Sequence, residues 1–333
     1  MNLRYLLILL IIVVVFGGGY FLWQRNNQLT FNQLNSENTQ NTNGNTSVNS
    51  TPIPSTSDSF IENLRNRKFE SGEVKIESTV SNNSEFTSYI FSYPSDNLKI
   101  YGRMNVPNGN GSFPVIILNH GYYNPSSFSS GDGTQTMAEI LARNGYLTLA
   151  SDYRGHGKSD SDGQRGGHRP EYSIDVLNLL ASVNTVQKAD VNKIGMWGHS
   201  MGGEVSMRAI EATDKVKAVA LWAPTSANAA DNHGFYGGGR QSQTSPSPEM
   251  NGISPINYLK YITSDISIHQ GLVDTEVRPE WSKQLNDALE KEGKAVEYFE
   301  YEGQDHNFRN LGWDLISQRT LSFFDKLLKN SGQ

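Results

Sequence analysis

Ser200 lies in Gly198-His199-Ser200-Met201-Gly202, a serine flanked by glycines at the end of an apolar run. A serine hydroxyl is too weakly acidic to attack a carbonyl unaided. It needs a base to take its proton, and the base needs a partner that holds its tautomer. His306, in Tyr301-Glu302-Gly303-Gln304-Asp305-His306-Asn307-Phe308, is the expected base, and Asp274, in His269-Gln270-Gly271-Leu272-Val273-Asp274-Thr275-Glu276-Val277, the expected acid. Asp305 is nearer to the base in sequence, but neighbours in an extended loop point to opposite sides, so it should face away. Acyl transfer also needs two preorganised donors for the oxyanion. The backbone N–H of Met201 is one candidate. The other is the N–H of Tyr122 in Asn119-His120-Gly121-Tyr122-Tyr123, with the Tyr123 hydroxyl as a helper. The remaining histidines fit a base less well: His269 falls inside a strand pattern and reads as a core or rim residue, and His199 sits beside the nucleophile.

These residues require a scaffold that ends strands in loops at one edge. Val74–Val80, Tyr89–Tyr93 and Leu98–Met104 alternate as strands and are expected to pair antiparallel. Pro114–Asn119 is a continuous apolar run of the kind buried on both faces. Helix and strand patterns then alternate. Helices are expected over Thr136–Ala142, Ser173–Val186, Met201–Ala212, Pro279–Glu292 and Leu311–Leu328. Strands are expected over Tyr146–Ala150, Val191–Trp197, Val216–Trp222, Ile266–His269 and Val296–Tyr301. Such alternation implies a mainly parallel sheet with helices on both faces. Ser200 then falls at a sharp strand–turn–helix elbow, His306 just past the last strand and Asp274 just past the penultimate one. Residues from about 223 to 260, rich in glycine and proline, are too long for an ordinary connection and read as a cap.

Composition narrows the function classes. The 333 residues carry a net charge of −6, and the four charges of residues 1–58 (Arg4, Arg25, Glu37, Asp58) cancel, so the body itself is acidic. That argues against a nucleic-acid partner, which needs a basic footprint. With no cysteine, thiolate metal sites, disulfides and Cys nucleophiles are excluded. There is no His-Glu-x-x-His, so no metal is expected. Tyr5–Trp23 is an uncharged apolar run between Arg4 and Arg25, about 19 residues and long enough to span a bilayer. Its aromatic end suits an interfacial belt better than a signal-peptidase site. Residues 1–23 are therefore expected to be a transmembrane signal anchor, with secretion after cleavage as the alternative. Residues 24–59, dominated by Asn, Gln, Ser and Thr, form a disordered linker in this reading, and residues 60–333 form the catalytic domain.

The ordered set of motifs resembles the catalytic domain of the prolyl oligopeptidase family of serine peptidases and its esterase relatives, which have the α/β-hydrolase fold. Phe113–Gly121, Asp152-Tyr153-Arg154-Gly155-His156-Gly157-Lys158-Ser159, the serine elbow, Ser254-Pro255-Ile256 and the loops of Asp274 and His306 carry the resemblance, which covers residues 85–328. It implies acyl transfer through an acyl-enzyme, with no cofactor, on a small-molecule or short peptide substrate. In the Arg154 loop, Asp152 and Arg154 are expected to pair. The chain departs from the family in having only a few strands ahead of the catalytic domain, in Gly121-Tyr122 where two glycines are common, and in Gln270 before Gly271. The resulting expectation is a membrane-tethered, extracytoplasmic serine hydrolase, a peptidase by preference and otherwise a carboxylesterase. A non-catalytic binding protein on the same fold is the rival, disfavoured because all three triad positions are filled.

Overall fold

The computed structural model describes residues 56–164, 169–237, 247–309 and 312–329. Among them, one sheet holds β1 (Lys75–Asn82), β2 (Phe86–Ser95), β3 (Leu98–Pro107), β4 (Phe113–Asn119), β5 (Leu147–Ser151), β6 (Ala189–His199), β7 (Ala218–Trp222), β8 (Asp265–Gly271) and β9 (Val296–Tyr301). The spatial order is β1-β2-β3-β5-β4-β6-β7-β8-β9. The pairs β1–β2, β2–β3 and β3–β5 are antiparallel, and every pair from β5 and β4 through to β9 is parallel. The antiparallel start and the parallel body are those read from the sequence. The expected anchor (residues 1–23), most of the linker and part of the cap lie outside the described residues. No described helix is long and apolar enough to cross a membrane.

The period of two along each strand divides the core into two halves. Val115, Ile117, Met196, Val219 and Leu221 face one side. They meet Leu64 of α1 (Ile61–Asn66), Ile174 and Leu177 of α3 (Tyr172–Ser182), and Val205 and Ala209 of α4 (Met201–Ala212). Leu285 and Leu289 of α7 (Pro279–Lys291) complete that face, while α5 (Ala229–Tyr236) and α6 (Pro248–Ile253) belong to the segment between β7 and β8. Ile116, Leu118, Trp197, Ala220 and Trp222 face the other side. There they pack on Met137 and Leu141 of α2 (Gln135–Arg143) and on Ile316 and Phe324 of α8 (Gly312–Phe324). β4 is apolar from Phe113 to Leu118 because both of its faces are covered. Each fully buried aliphatic side chain contributes about 1.5–3 kcal/mol, so the sheet centre is the rigid base for the loops at its edge.

The expected closing helix, Leu311–Leu328, ends at Phe324 and runs on as a π-helical turn over Asp325–Lys329, and one further helix ends early where hydroxyls compete for backbone groups. α3 stops at Ser182 rather than Val186, because Ser182 Oγ donates to the Asn178 carbonyl (2.7 Å) and Thr185 Oγ1 to the Ser182 carbonyl (2.8 Å). A 3₁₀ turn over Val183–Thr185 follows.

The expected Asp152–Arg154 pair does not form. Tyr153 between them has φ +60° and turns the chain. Arg154 instead reaches Asp175 on α3: its backbone N–H and Nη2 donate to the carboxylate at 2.8 Å, and Nε donates to both oxygens at 3.1–3.2 Å. Asp162 (3.4 Å) and Asp96 (3.7 Å) flank the guanidinium. Asp152 is left with a hydroxyl partner, Ser130, and burial pushes its carboxyl up to about 7, the charge of Asp132 adding to the effect.

Both members of the Arg154–Asp175 pair are fully buried, so removing one strands the other. Arg154→Met is expected to lower unfolding free energy by about 3–5 kcal/mol, read from urea melts. A loss no larger than that of a surface exchange would show that the pair does not hold this loop.

Candidate active site

Ser200 follows β6 directly and caps α4 with φ 58° and ψ −126°, a conformation that costs on the order of 1–3 kcal/mol in a residue other than glycine. The surroundings enforce it. A β-carbon on Gly202 would stand 1.9 Å from the Asn119 carbonyl oxygen, and one on Gly198 would stand 2.4 Å from the Gly202 oxygen. The helix start therefore lies directly against β4 and lifts Ser200 off the strand axis. The Ser200 carbonyl accepts hydrogen bonds from Gly203 N–H (2.9 Å) and Thr225 N–H (3.2 Å), and Ser200 N–H donates to the Trp222 carbonyl (3.0 Å).

Asp274 and His306 meet at this edge. His306 Nδ1–H donates to Asp274 Oδ2 at 2.7 Å, and both side chains are buried. Asp274 Oδ1 accepts from the backbone N–H groups of Glu276 (2.8 Å) and Val277 (2.9 Å), which turn the loop around the carboxylate. Burial alone would raise the carboxyl. The hydrogen bond and charge of His306 together with the two N–H groups outweigh it and hold the group below its ordinary value. With Nδ1 as the donor, the lone pair of a neutral imidazole lies on Nε2. Among the described residues, Ser200 Oγ makes no hydrogen bond to His306. Such contacts are often long before substrate tightens them.

The loop after β4 brings Gly121 to Ser200, where a β-carbon would touch the serine Cβ at 3.0 Å. Tyr122 follows, exposed. Met201 opens α4, in the first turn, where N–H groups have no intrahelical acceptor. Tyr123 packs its ring on Gly133, edge-on to His120 and Phe128 (5.9 and 5.6 Å between centroids), and is half-exposed. Asp305 turns to its own loop, accepting from Asn307 N–H (3.1 Å) and Arg309 N–H (3.0 Å). His269 is a core residue, between Tyr301 Oη (2.7 Å) and Ser267 Oγ (3.0 Å).

Two further residues serve this geometry. His199 Nε2–H donates to the His306 carbonyl (3.0 Å), and its ring lies 4.6 Å from that of His306. Burial, with the neighbouring His306 adding to it, lowers His199 to about 4, so it stays neutral. Gln270 Nε2 donates to Asp274 Oδ2 at 3.2 Å, and its Oε1 accepts from Ser282 Oγ at 2.7 Å. Gln270 stood out in the sequence as a departure from the family, and the variable position inside the serine motif was the only signal for His199.

A family model described as "Serine aminopeptidase, S33" matches residues 113–241. An uncharacterized 31.7 kDa protein of Escherichia coli is 31% identical over 115 residues, 34% of this chain and 38% of that protein. The match thus spans little more than a third of that relative's length. Acetyl xylan esterase 1 from Thermoanaerobacterium is similar in structure, with TM-score 0.62 and 18% identity, over 82% of this chain and 95% of the esterase. The acylaminoacyl peptidase of Pyrococcus horikoshii gives TM-score 0.61 and 19% identity, over 75% of this chain and 43% of the peptidase. The fold is that of the α/β hydrolases.

The two carboxylates near the base make separable predictions. Asp274→Asn, which would favour the wrong tautomer, is expected to lower kcat by about 10⁴. Asp305→Asn should lower it only slightly. Steady-state kinetics on the two variants, each checked for cooperative melting, decide; the reverse ranking would make Asp305 the acid.

Proposed function

We propose that this chain, a serine hydrolase of the α/β-hydrolase fold, cleaves carboxylic ester bonds through an acyl-enzyme on Ser200. The observation that carries the reading is the 2.7 Å hydrogen bond from His306 to Asp274 beside a serine elbow, because it leaves Nε2 as the proton acceptor. Ser200 Oγ attacks the acyl carbon as His306 Nε2 takes its proton. The N–H groups of Met201 and Tyr122 hold the oxyanion. His306 then returns the proton to the leaving group, and water, activated in the same way, releases the acid. Neutral His199 and the amide of Gln270 fix the base and acid without adding charge.

Preference moves here from peptides to esters. The likeness to the acetyl xylan esterase runs over nearly all of that enzyme, whereas the likeness to the acylaminoacyl peptidase leaves out more than half of it. Peptide hydrolysis is the second reading, favoured by the description of the matching family model. We also propose that Tyr5–Trp23 anchors the chain in a membrane with the catalytic body on the outer side, supported by the length and aromatic end of that run.

Ser200→Ala is expected to lower kcat on the order of 10⁶ toward short-chain aryl esters and to abolish labelling by a fluorophosphonate. Turnover that survives in the variant, or labelling at another residue, would remove Ser200 from the mechanism. The full chain is expected to sediment with membranes, and a chain starting at residue 60 is not. A soluble product of the full chain that carries a new N-terminus past Gly19 would mean a cleaved signal.

A further inference from the structure

The loop after β4 carries a histidine that the proposed reaction does not use. His120 is 1% exposed, and each of its ring nitrogens faces a carbonyl oxygen: Nδ1 lies 2.7 Å from that of Gly121 and Nε2 3.3 Å from that of Asp152. Carbonyls only accept, so both contacts are hydrogen bonds only in the imidazolium. Burial, with His156 adding to it, lowers His120 to about 3, so at neutral pH the ring has a single proton to place. The shorter contact takes it, because a bare lone pair is repelled more by a carbonyl oxygen at 2.7 Å than by one at 3.3 Å. Nδ1–H therefore donates to the Gly121 carbonyl, and Nε2 carries the lone pair.

Aromatic neighbours hold the ring in this orientation. It stacks on Tyr153 at 4.2 Å between centroids, meets Phe128 at 4.6 Å, and takes His156 edge-on at 5.3 Å. Tyr153 stacks in turn on Tyr172 of α3 at 4.8 Å, and its Oη donates to the His120 carbonyl at 3.4 Å. Buried in this column, His120 acts on the reaction only through the backbone it binds. That backbone is the Gly121–Tyr122 peptide. A trans peptide is planar, with its C=O and N–H on opposite sides, so a hydrogen bond that fixes the Gly121 carbonyl also fixes the direction of the Tyr122 N–H. Polarising the carbonyl also makes that N–H a better donor. The peptide begins beside the nucleophile: a β-carbon on Gly121 would stand 3.0 Å from Ser200 Cβ and 3.6 Å from its Oγ. Among the described residues, the Tyr122 N–H donates to no backbone carbonyl.

We propose that His120 is a positioning residue for the oxyanion: in its Nδ1–H tautomer it holds the Gly121 carbonyl and thereby aims the Tyr122 N–H at the oxygen that gains charge when Ser200 attacks. The proposal rests on the serine-hydrolase reading, with Tyr122 as one of its two donors. His120 touches neither substrate nor reacting atoms, so its effect is on the transition state through the Tyr122 N–H and not on substrate binding.

The test measures kcat and KM on para-nitrophenyl acetate, and Ki for an alkyl trifluoromethyl ketone, which adds to a nucleophilic serine as an oxyanion. The full chain is compared with His120→Phe, His120→Asn and His120→Gln, each checked for cooperative melting. His120→Phe keeps a stacked ring but loses the N–H. Its kcat should fall about a hundredfold, the lower range for losing one oxyanion donor, with KM little changed and Ki raised by a similar factor. His120→Asn sets an amide N–H near the place of Nδ1 and should stay within about tenfold of wild type, since one neutral hydrogen bond is kept. His120→Gln sets its amide near the place of Nε2 and should behave as His120→Phe does. If His120→Phe keeps its kcat, or His120→Gln performs as well as His120→Asn, the proposal is overturned. A full chain that fails to label with a fluorophosphonate overturns the hydrolase reading, and the proposal falls with it. If the variants do not fold, nitrogen NMR spectra of the wild-type histidines decide. The His120 ring, assigned through its Cβ, should carry its proton on Nδ1, and a proton on Nε2 overturns the proposal.

Discussion

The crowding of the Met201–Ala212 helix against strand Phe113–Asn119 governs the site. No β-carbon fits at Gly202, because the Asn119 carbonyl already occupies its place. Once the helix start is that close, the chain leaving the neighbouring strand must turn sharply, and Ser200 takes the left-handed φ that the turn leaves it. Asn119 Nδ2 donates to Ser206 Oγ, which donates to the Gly202 carbonyl, both at 2.8 Å. Side chains thus reinforce what the glycines permit. Strain of a few kcal/mol at one residue persists because the surrounding packing over-determines it.

The expected acid and base are held by a separate device of the same kind. A β-carbon on Gly271 would lie 2.4 Å from the Gln304 carbonyl oxygen and 2.7 Å from that of Asp305, so the two loops touch backbone to backbone. Leu272 N–H donates to Tyr301 O and Val273 N–H to Gln304 O, each at 3.0 Å. Each such bond contributes only about 0.5–1.5 kcal/mol net, but together they set the spacing of the loops independently of the side chains they carry. The 2.7 Å contact between Asp274 and His306 forms on a frame already in register.

Much of this could be read from the chain because it rests on local pattern. The doubly covered strand Phe113–Asn119, the glycines around Ser200, and the positions of Asp274 and His306 after the last two parallel strands are all one-dimensional signals. What escaped were the partners set by three-dimensional direction. Arg154 has Asp152 two residues away yet binds Asp175 across the fold, because the positive φ of Tyr153 reverses the chain between them. His199 and Gln270 share that origin: one reaches a carbonyl 107 residues on, and the other reaches a carboxylate in a turn whose path no periodicity encodes. The end of the Tyr172–Ser182 helix shifted for a smaller reason, since hydroxyl competition for carbonyls does not alter the apolar pattern.

The electrostatics of the site follow from which imidazoles are buried. His199 is lowered to about 4, His120 to about 3 and His269 to about 3, each chiefly by burial, and His156 is lowered for the same reason. The first three rings carry no charge at neutral pH and contribute dipoles and shape. That matters most for His199, whose ring is in contact with His306: a cation there would oppose a second one forming on its neighbour. Since His199 is neutral, and Gln270 touches Asp274 with an amide instead of a cation, the carboxylate has no competing positive partner within hydrogen-bond reach among the described residues. The imidazolium that would form on His306 during attack is therefore the charge that Asp274 is placed to meet. In the proposed reaction that charge would strengthen the 2.7 Å hydrogen bond His306 already makes to Asp274, because charge-assisted hydrogen bonds are the stronger kind.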